Sequence, residues 1–193
     1  MRRMGDAARQ TPVSESDYLA GERDADVRHE YVDGRLFAMG GASLAHTLLV
    51  TNLVTGLRNR LRGSGCRISS SDMKVRLADG RRYYYPDVVV SHDDRREESG
   101  ADTETRPVLV VEILSPSSES TDRREKLVES QALPSVVDYL ILSQDAPVLE
   151  RFERDGEGWT RAEFGAGETV ELAALGLSLP VDELYEDVLA PAG

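Results

Sequence analysis

Two carboxylates sit in strands that are otherwise apolar. Asp87 opens the run Pro86-Asp87-Val88-Val89-Val90, and Glu112 lies within Val108-Leu109-Val110-Val111-Glu112-Ile113-Leu114. Strands apolar on both faces belong inside a covered sheet. A charge there is costly unless it is paired or holds a metal. Strand alternation puts Asp87 on the face of Val89, and Glu112 on the face of Val110 and Val108. If the strands are antiparallel neighbours in a register that sets Asp87 opposite Glu112, both carboxylates point to one side. Such a pair repels unless a proton or cation lies between them. Oxygen donors of this kind suit Mg²⁺, with Mn²⁺ able to substitute. The spacing equally allows each acid to mark a solvated strand end.

Lys74 and Lys126 are the two lysines among 23 Lys and Arg residues. A chain that otherwise uses Arg can keep Lys where a compact, titratable ammonium matters. Lys126 follows Asp122 by four residues, so a helical ion pair accounts for it as well as chemistry does. His46 stands near the start of the most regular helix, where it can bond into the sheet or serve the helix end. The three histidines, His29, His46 and His92, form no helical His-x-x-x-His pair, which argues against a zinc hydrolase. No Gly-rich loop precedes Lys-Ser or Lys-Thr, and no Gly-x-Ser-x-Gly elbow occurs. Between residues 56 and 82, Arg58, Arg60, Arg62, Arg67, Lys74, Arg76, Arg81 and Arg82 outnumber Asp72 and Asp79. That segment suits a phosphate-attracting face or a solvated helix face, and Tyr83, Tyr84 and Tyr85 after it can pack or stack.

The elements that must position these residues follow from periodicity. Ser14 caps a short helix around 15–20, which should stop near Gly21. Asp33-Gly34 is a turn pair, followed by a strand over 35–39. Ser43 caps a helix carrying Leu49, Leu53, Leu57 and Leu61 at spacing four and ending by Gly63. Strands are expected over 66–69 and 73–77, then at the two acid-bearing runs, with residues 92–106 a polar surface loop between them. A helix should begin near Asp122 and end at Pro134. A buried strand over 136–142, a hairpin over 148–154 and 159–164, and a last helix over 181–189 complete the chain. This order predicts an α/β fold, one mixed central sheet flanked by helices on both faces. The expected layout is a loose N-terminus over 1–13, one domain over 14–189 and a tail over 190–193.

The chain has 193 residues and a formal net charge of −12, from 35 acids against 23 Lys and Arg. That excludes a generally basic coat for duplex binding, though not a local groove. Its one cysteine, Cys66, excludes an intrachain disulfide and a Cys-rich zinc site, and suits a reducing, cytoplasmic setting. No apolar run is long enough to span a membrane.

Taken in order, these residues resemble the Uma-type restriction endonuclease family of bacteria, within the PD-(D/E)XK nuclease superfamily. The resemblance runs from about 12 to 189. It is carried by Glu30 with Asp33-Gly34, His46, Pro86-Asp87, Val111-Glu112-Ile113-Leu114-Ser115-Pro116, Asp122 with Lys126, Leu133-Pro134-Ser135 and Tyr139-Leu140. It implies a restriction-endonuclease-like core and Mg²⁺-dependent phosphodiester hydrolysis. Asp87 and Glu112 would hold the metal, and Glu30 would be an auxiliary acid from the first helical region. His46 would be a supporting group. The superfamily's lysine usually stands two residues after the second acid, where this chain has Leu114, so Lys126 would supply it from the next helix. Ser130 is a second departure, since a Tyr often follows that lysine by four. The implied partner is nucleic acid, DNA above all, with a homodimer where both strands are cut. A non-catalytic nucleic-acid-binding or scaffold protein keeping the same fold remains the competing class.

Overall fold

The computed structural model describes residues 12–77, 81–92, 102–114 and 126–189. A six-stranded sheet forms the centre. Its order is β11 (Gly158–Phe164), β10 (Leu149–Asp155), β9 (Asp138–Ser143), β8 (Pro107–Leu114), β6 (Val88–His92) and β3 (Cys66–Ser70). Neighbours run antiparallel except β8 and β9, which are parallel, so the sheet is mixed as expected. The two acid-bearing runs occupy adjacent interior strands, which explains why both are apolar on either side.

Helix α2 (Leu44–Arg60) covers one face through Leu49, Leu53 and Leu57, each fully buried. These pack on Val88, Val90, Leu109 and Val111. Ser43 caps this helix, accepting from the His46 N–H at 3.1 Å. The opposite face buries Val89, Val110 and Leu114 with Tyr139, Ile141 and Leu133, and Leu127 of α3 (Leu127–Gln131) packs there too.

The expectation of one sheet is incomplete. A second, five-stranded sheet holds β2 (Arg35–Ala38), β1 (His29–Val32), β5 (Arg82–Tyr84), β4 (Lys74–Arg76) and β7 (Thr103–Glu104), in that order. The chain then adds a two-stranded hairpin, β12 (Thr169–Leu172) with β13 (Leu177–Pro180), followed by the short helix α4 (Val181–Leu184). That helix replaces the longer one expected over 181–189. Helix α1 (Glu15–Arg23) passes through Gly21 rather than stopping there. Asp33 (φ 48°) and Gly34 (φ 87°) make the β1–β2 turn, as their types require. Val13 packs against this turn: its N–H donates to Gly34 O, and its carbonyl accepts from the Tyr31 hydroxyl. The expected loop over 92–106 is in part a strand. Glu104 on β7 is buried, accepting from Ser91, from Arg67 and from the N–H groups of Thr105 and Arg106. The helix start near Asp122 and most of the flanking termini lie outside the described residues.

The burial of α2 sets the first prediction. Leu53→Ala should lower unfolding free energy by about 2–5 kcal/mol, the range for deleting a packed leucine. Leu44→Ala, at a position 75% exposed, should stay within about 0.5 kcal/mol. Urea unfolding of the two variants beside the parent checks it; equal midpoints would contradict the packing described.

Candidate active site

The β6–β8 ladder pairs Val88 with Val111 and Val89 with Val110. One step further, just before β6 begins, the same register sets Asp87 opposite Glu112. Val89, Val110 and Leu114 share one core layer, so alternation puts the two carboxylates on that side as well. Asp87 is held at both oxygens: the Ile113 N–H donates to Oδ2 at 2.7 Å, and His46 Nε2 lies 2.8 Å from Oδ1. Its side chain is 14% exposed and that of Glu112 is 7%. Both are therefore largely removed from water.

The site lies where the chain steps between the two sheets. Tyr84 ends β5 in one sheet and Val88 begins β6 in the other, with Pro86-Asp87 between them. The connection from β3 to β4 crosses beside it, and the Ser71 N–H (φ 50°) donates to Asp87 O at 3.2 Å. The second sheet delivers Glu30, which lies on strand β1 and not on a helix. The first helical region is α1, which ends at Arg23, so that part of the family-based expectation is corrected.

Lys126 joins the acids from a third direction. It leads into α3 in helical backbone, φ −62° and ψ −40°. Its Nζ lies 2.8 Å from Glu30 Oε1 and 3.7 Å from Glu112 Oε1. The Glu30 contact is an ion pair without aligned hydrogen-bond geometry, since Glu30 Oε1 is buried and accepts no hydrogen bond. The Tyr84 ring adds a face 5.5 Å from the ammonium. Leu114, two residues beyond Glu112, is packed in the core and leaves its usual lysine position apolar. Asp122 lies outside the described residues.

Glu30, His46, Asp87, Glu112 and Lys126 thus converge, although they come from two sheets and two helical segments. Pattern reading missed two supporting groups. Gln144 is buried; its amide donates to Leu114 O at 2.9 Å, and its oxygen accepts from the Ser43 hydroxyl at 2.5 Å. It therefore ties the cap of the His46-bearing helix to the end of the Glu112-bearing strand. Arg82 bridges Asp33 and Glu129, joining the β1–β2 turn to α3. Neither shows a sequence signal, because each links segments remote along the chain.

The donor chemistry fits a hard divalent cation. Two carboxylates face one side of adjacent strands, and Mg²⁺ commonly takes one or two carboxylates and keeps several waters. Among the described residues no three His, Cys, Asp or Glu groups form a ready-made metal cage. A bound Mg²⁺ would rely on water and substrate oxygens for its remaining ligands.

The basic segment is not an open phosphate track. Arg60 pairs with Glu183, Arg67 with Glu104, Lys74 with Asp102, Arg76 with Glu15, and Arg82 with Asp33 and Glu129. Carboxylates distant in sequence neutralise most of it. Arg58 and Arg62 line a separate pocket of about 280 Å³ with Cys66 and Ile68.

The Asp87 hydrogen bond raises the His46 pKa above the usual 6.5, against the opposing effect of burial. A raised folded-state value stabilises the charged form. That contribution is whole below the unfolded pKa and is lost as pH rises through the folded one. In the metal-free protein, His46 should titrate above 6.5 by NMR, and Asp87→Asn should bring it down. A His46 that titrates at or below 6.5 in the parent would contradict the pairing.

A family model described as "Putative restriction endonuclease", Uma2, matches residues 15–182. The "Uncharacterized protein slr1290" of Synechocystis is 36% identical over 174 residues, covering 90% of this chain and 91% of the relative. A second Synechocystis protein, sll1609, also described as uncharacterized, is 28% identical over 162 residues, covering 83% and 91%. A crystal structure from Anabaena variabilis, described as a "putative nuclease belonging to DUF820", superposes with a TM-score of 0.76. It covers 92% of this chain and 100% of that one, at 16% identity, a likeness of fold. No described helix is long and apolar enough to cross a membrane. The match to the family model over most of the chain, with the close Synechocystis relative, establishes that this protein belongs to the Uma2 family of restriction-endonuclease-like proteins.

Proposed function

We propose that the chain is a Mg²⁺-dependent endonuclease that hydrolyses phosphodiester bonds of nucleic acid, DNA above all. One observation carries the reading: the register sets Asp87, 14% exposed, opposite the buried Glu112, and the Lys126 ammonium lies 3.7 Å from Glu112. Structural ion pairs alone need no second acid so close, since like charges crowded together raise the cost of burial.

When bound at Asp87 and Glu112, Mg²⁺ supplies Lewis-acid polarisation of the phosphate and a more acidic water. The other roles belong to this chain's own groups. His46 and the Ile113 N–H orient Asp87 so that its carboxylate cannot rotate away. Glu30 holds the Lys126 ammonium beside Glu112. The ammonium is a compact charge that can stabilise a phosphoryl oxygen whose negative charge grows in the transition state. The Tyr84 ring shields one side of it from water. A homodimer would place two such sites on opposite strands of a duplex. The single cysteine agrees with action in the cytoplasm.

Single-turnover cleavage of labelled DNA in Mg²⁺ tests the reading. Asp87→Ala and Glu112→Gln should abolish cleavage and lose most Mn²⁺ binding by calorimetry. Lys126→Ala should keep fold and metal binding yet slow cleavage roughly 10²-fold or more. Lys126→Arg should rescue poorly, because a planar guanidinium does not replace a point charge. Metal should also stabilise the parent by about 2.7 kcal/mol at a hundredfold excess over Kd. Wild-type rates in Asp87→Ala or Lys126→Ala would overturn the assignment and favour a non-catalytic binding role.

A further inference from the structure

Phe37 stands beside this site with its ring half exposed. The β1–β2 ladder places it directly opposite Glu30, and opposed residues of an antiparallel pair project to the same face. Their Cβ atoms lie about 4.5–5.5 Å apart in such a pair. Glu30 is the carboxylate that contacts the Lys126 ammonium. Yet Phe37 is 50% exposed, on an edge strand whose four residues are all exposed. Leu36, next to it, belongs to the other face, opposite Tyr31 of the buried tyrosine cluster.

Charge narrows what such a ring can serve. The net charge is −12. Of the cations near this sheet, Arg28, Arg76 and Arg82 are engaged by Asp72, Glu15, Asp33 and Glu129, while Arg35, two residues before Phe37 on the same face of β2, is exposed. A polyanion approaching the acids therefore meets one exposed arginine beside the ring rather than a continuous basic groove. Affinity that does not come from phosphate contacts has to come from base contacts, and aromatic stacking is the sequence-tolerant kind.

We propose that Phe37 is a stacking platform for an unpaired nucleobase flanking the scissile phosphate, so that the site takes single-stranded or locally opened DNA in preference to an intact duplex. A base inside a duplex is already stacked on both faces and reaches such a ring only by leaving the helix. The inference rests on reading the site as a phosphodiesterase centre.

The test uses the full chain in Ca²⁺, with a fluorescent single-stranded oligonucleotide carrying one 2-aminopurine, and a matched duplex. Phe37→Ala should weaken binding of the single strand roughly tenfold, by the same factor at low and high salt, because no phosphate contact is lost. Phe37→Trp should retain binding, and Leu36→Ala should bind as the parent does. Moving the 2-aminopurine along the strand should find one position quenched in the parent and in Phe37→Trp but not in Phe37→Ala. An abasic site there should cost the parent about as much as Phe37→Ala does, with no further loss when both are combined. Parent-like binding by Phe37→Ala overturns the proposal. So does a loss that follows conversion of a dimer to a monomer by light scattering, which would assign the ring to a second copy of the chain. Cleavage of the same oligonucleotides in Mg²⁺ is measured in parallel. A parent that cleaves while Phe37→Ala binds normally removes only the Phe37 assignment. A parent that neither binds nor cleaves removes the phosphodiesterase reading and this inference with it.

Discussion

The antiparallel register of β6 on β8 is the constraint on which the site depends. Because Val88 faces Val111 and Val89 faces Val110, Asp87 falls opposite Glu112 and both leave the same side of the sheet. A slip of one residue would turn one carboxylate to the opposite face, into the layer of Leu49, Leu53 and Val111. Burial on both sides makes that slip costly. The valines that look like generic core therefore fix the chemistry as firmly as the acids do. The Ile113 N–H extends this control by gripping Asp87 Oδ2 from the neighbouring strand.

Around that pair the molecule balances charge locally. Glu30, Asp87 and Glu112 are three acids in a poorly solvated corner, met by Lys126 and by a His46 whose pKa is raised. The same economy holds elsewhere: Asp138 has no exposed surface and is met by Arg151 at 2.7 Å. The site differs in lying at a junction. Two sheets, the cap of α2 and the entry to α3 meet there, so its geometry reports on the assembly of the whole fold. Gln144 makes that coupling concrete, bonding both to the α2 cap and to the end of the Glu112 strand.

Much of this was legible in the sequence, for physical reasons. The leucines of α2 recur every fourth residue, the Asp33-Gly34 pair demands positive φ, and the two valine-rich runs require an interior sheet position. Alternation then left one open quantity, the register, and the ladder supplies it. Other features had no local signal. A strand of two residues, such as Thr103–Glu104, is too short to display a period. The family resemblance implies a helical region for Glu30, whereas His29–Val32 is a four-residue strand that follows α1. The basic run over 56–82 gives no hint that acids more than thirty positions away neutralise it, as Glu104 does for Arg67 and Glu183 for Arg60. Tertiary ion pairs of that kind are invisible to any window along the chain.

The central claim is that Asp87 and Glu112 share one divalent cation beside Lys126. It is tested most directly by soaking crystals of the protein in Mn²⁺ and collecting data above the manganese edge. The account predicts one strong anomalous peak, within coordination distance of a carboxylate oxygen of each acid, and its absence in crystals of Glu112→Gln. A map with no peak between the two acids at saturating Mn²⁺, or a peak that survives in Glu112→Gln, would contradict it.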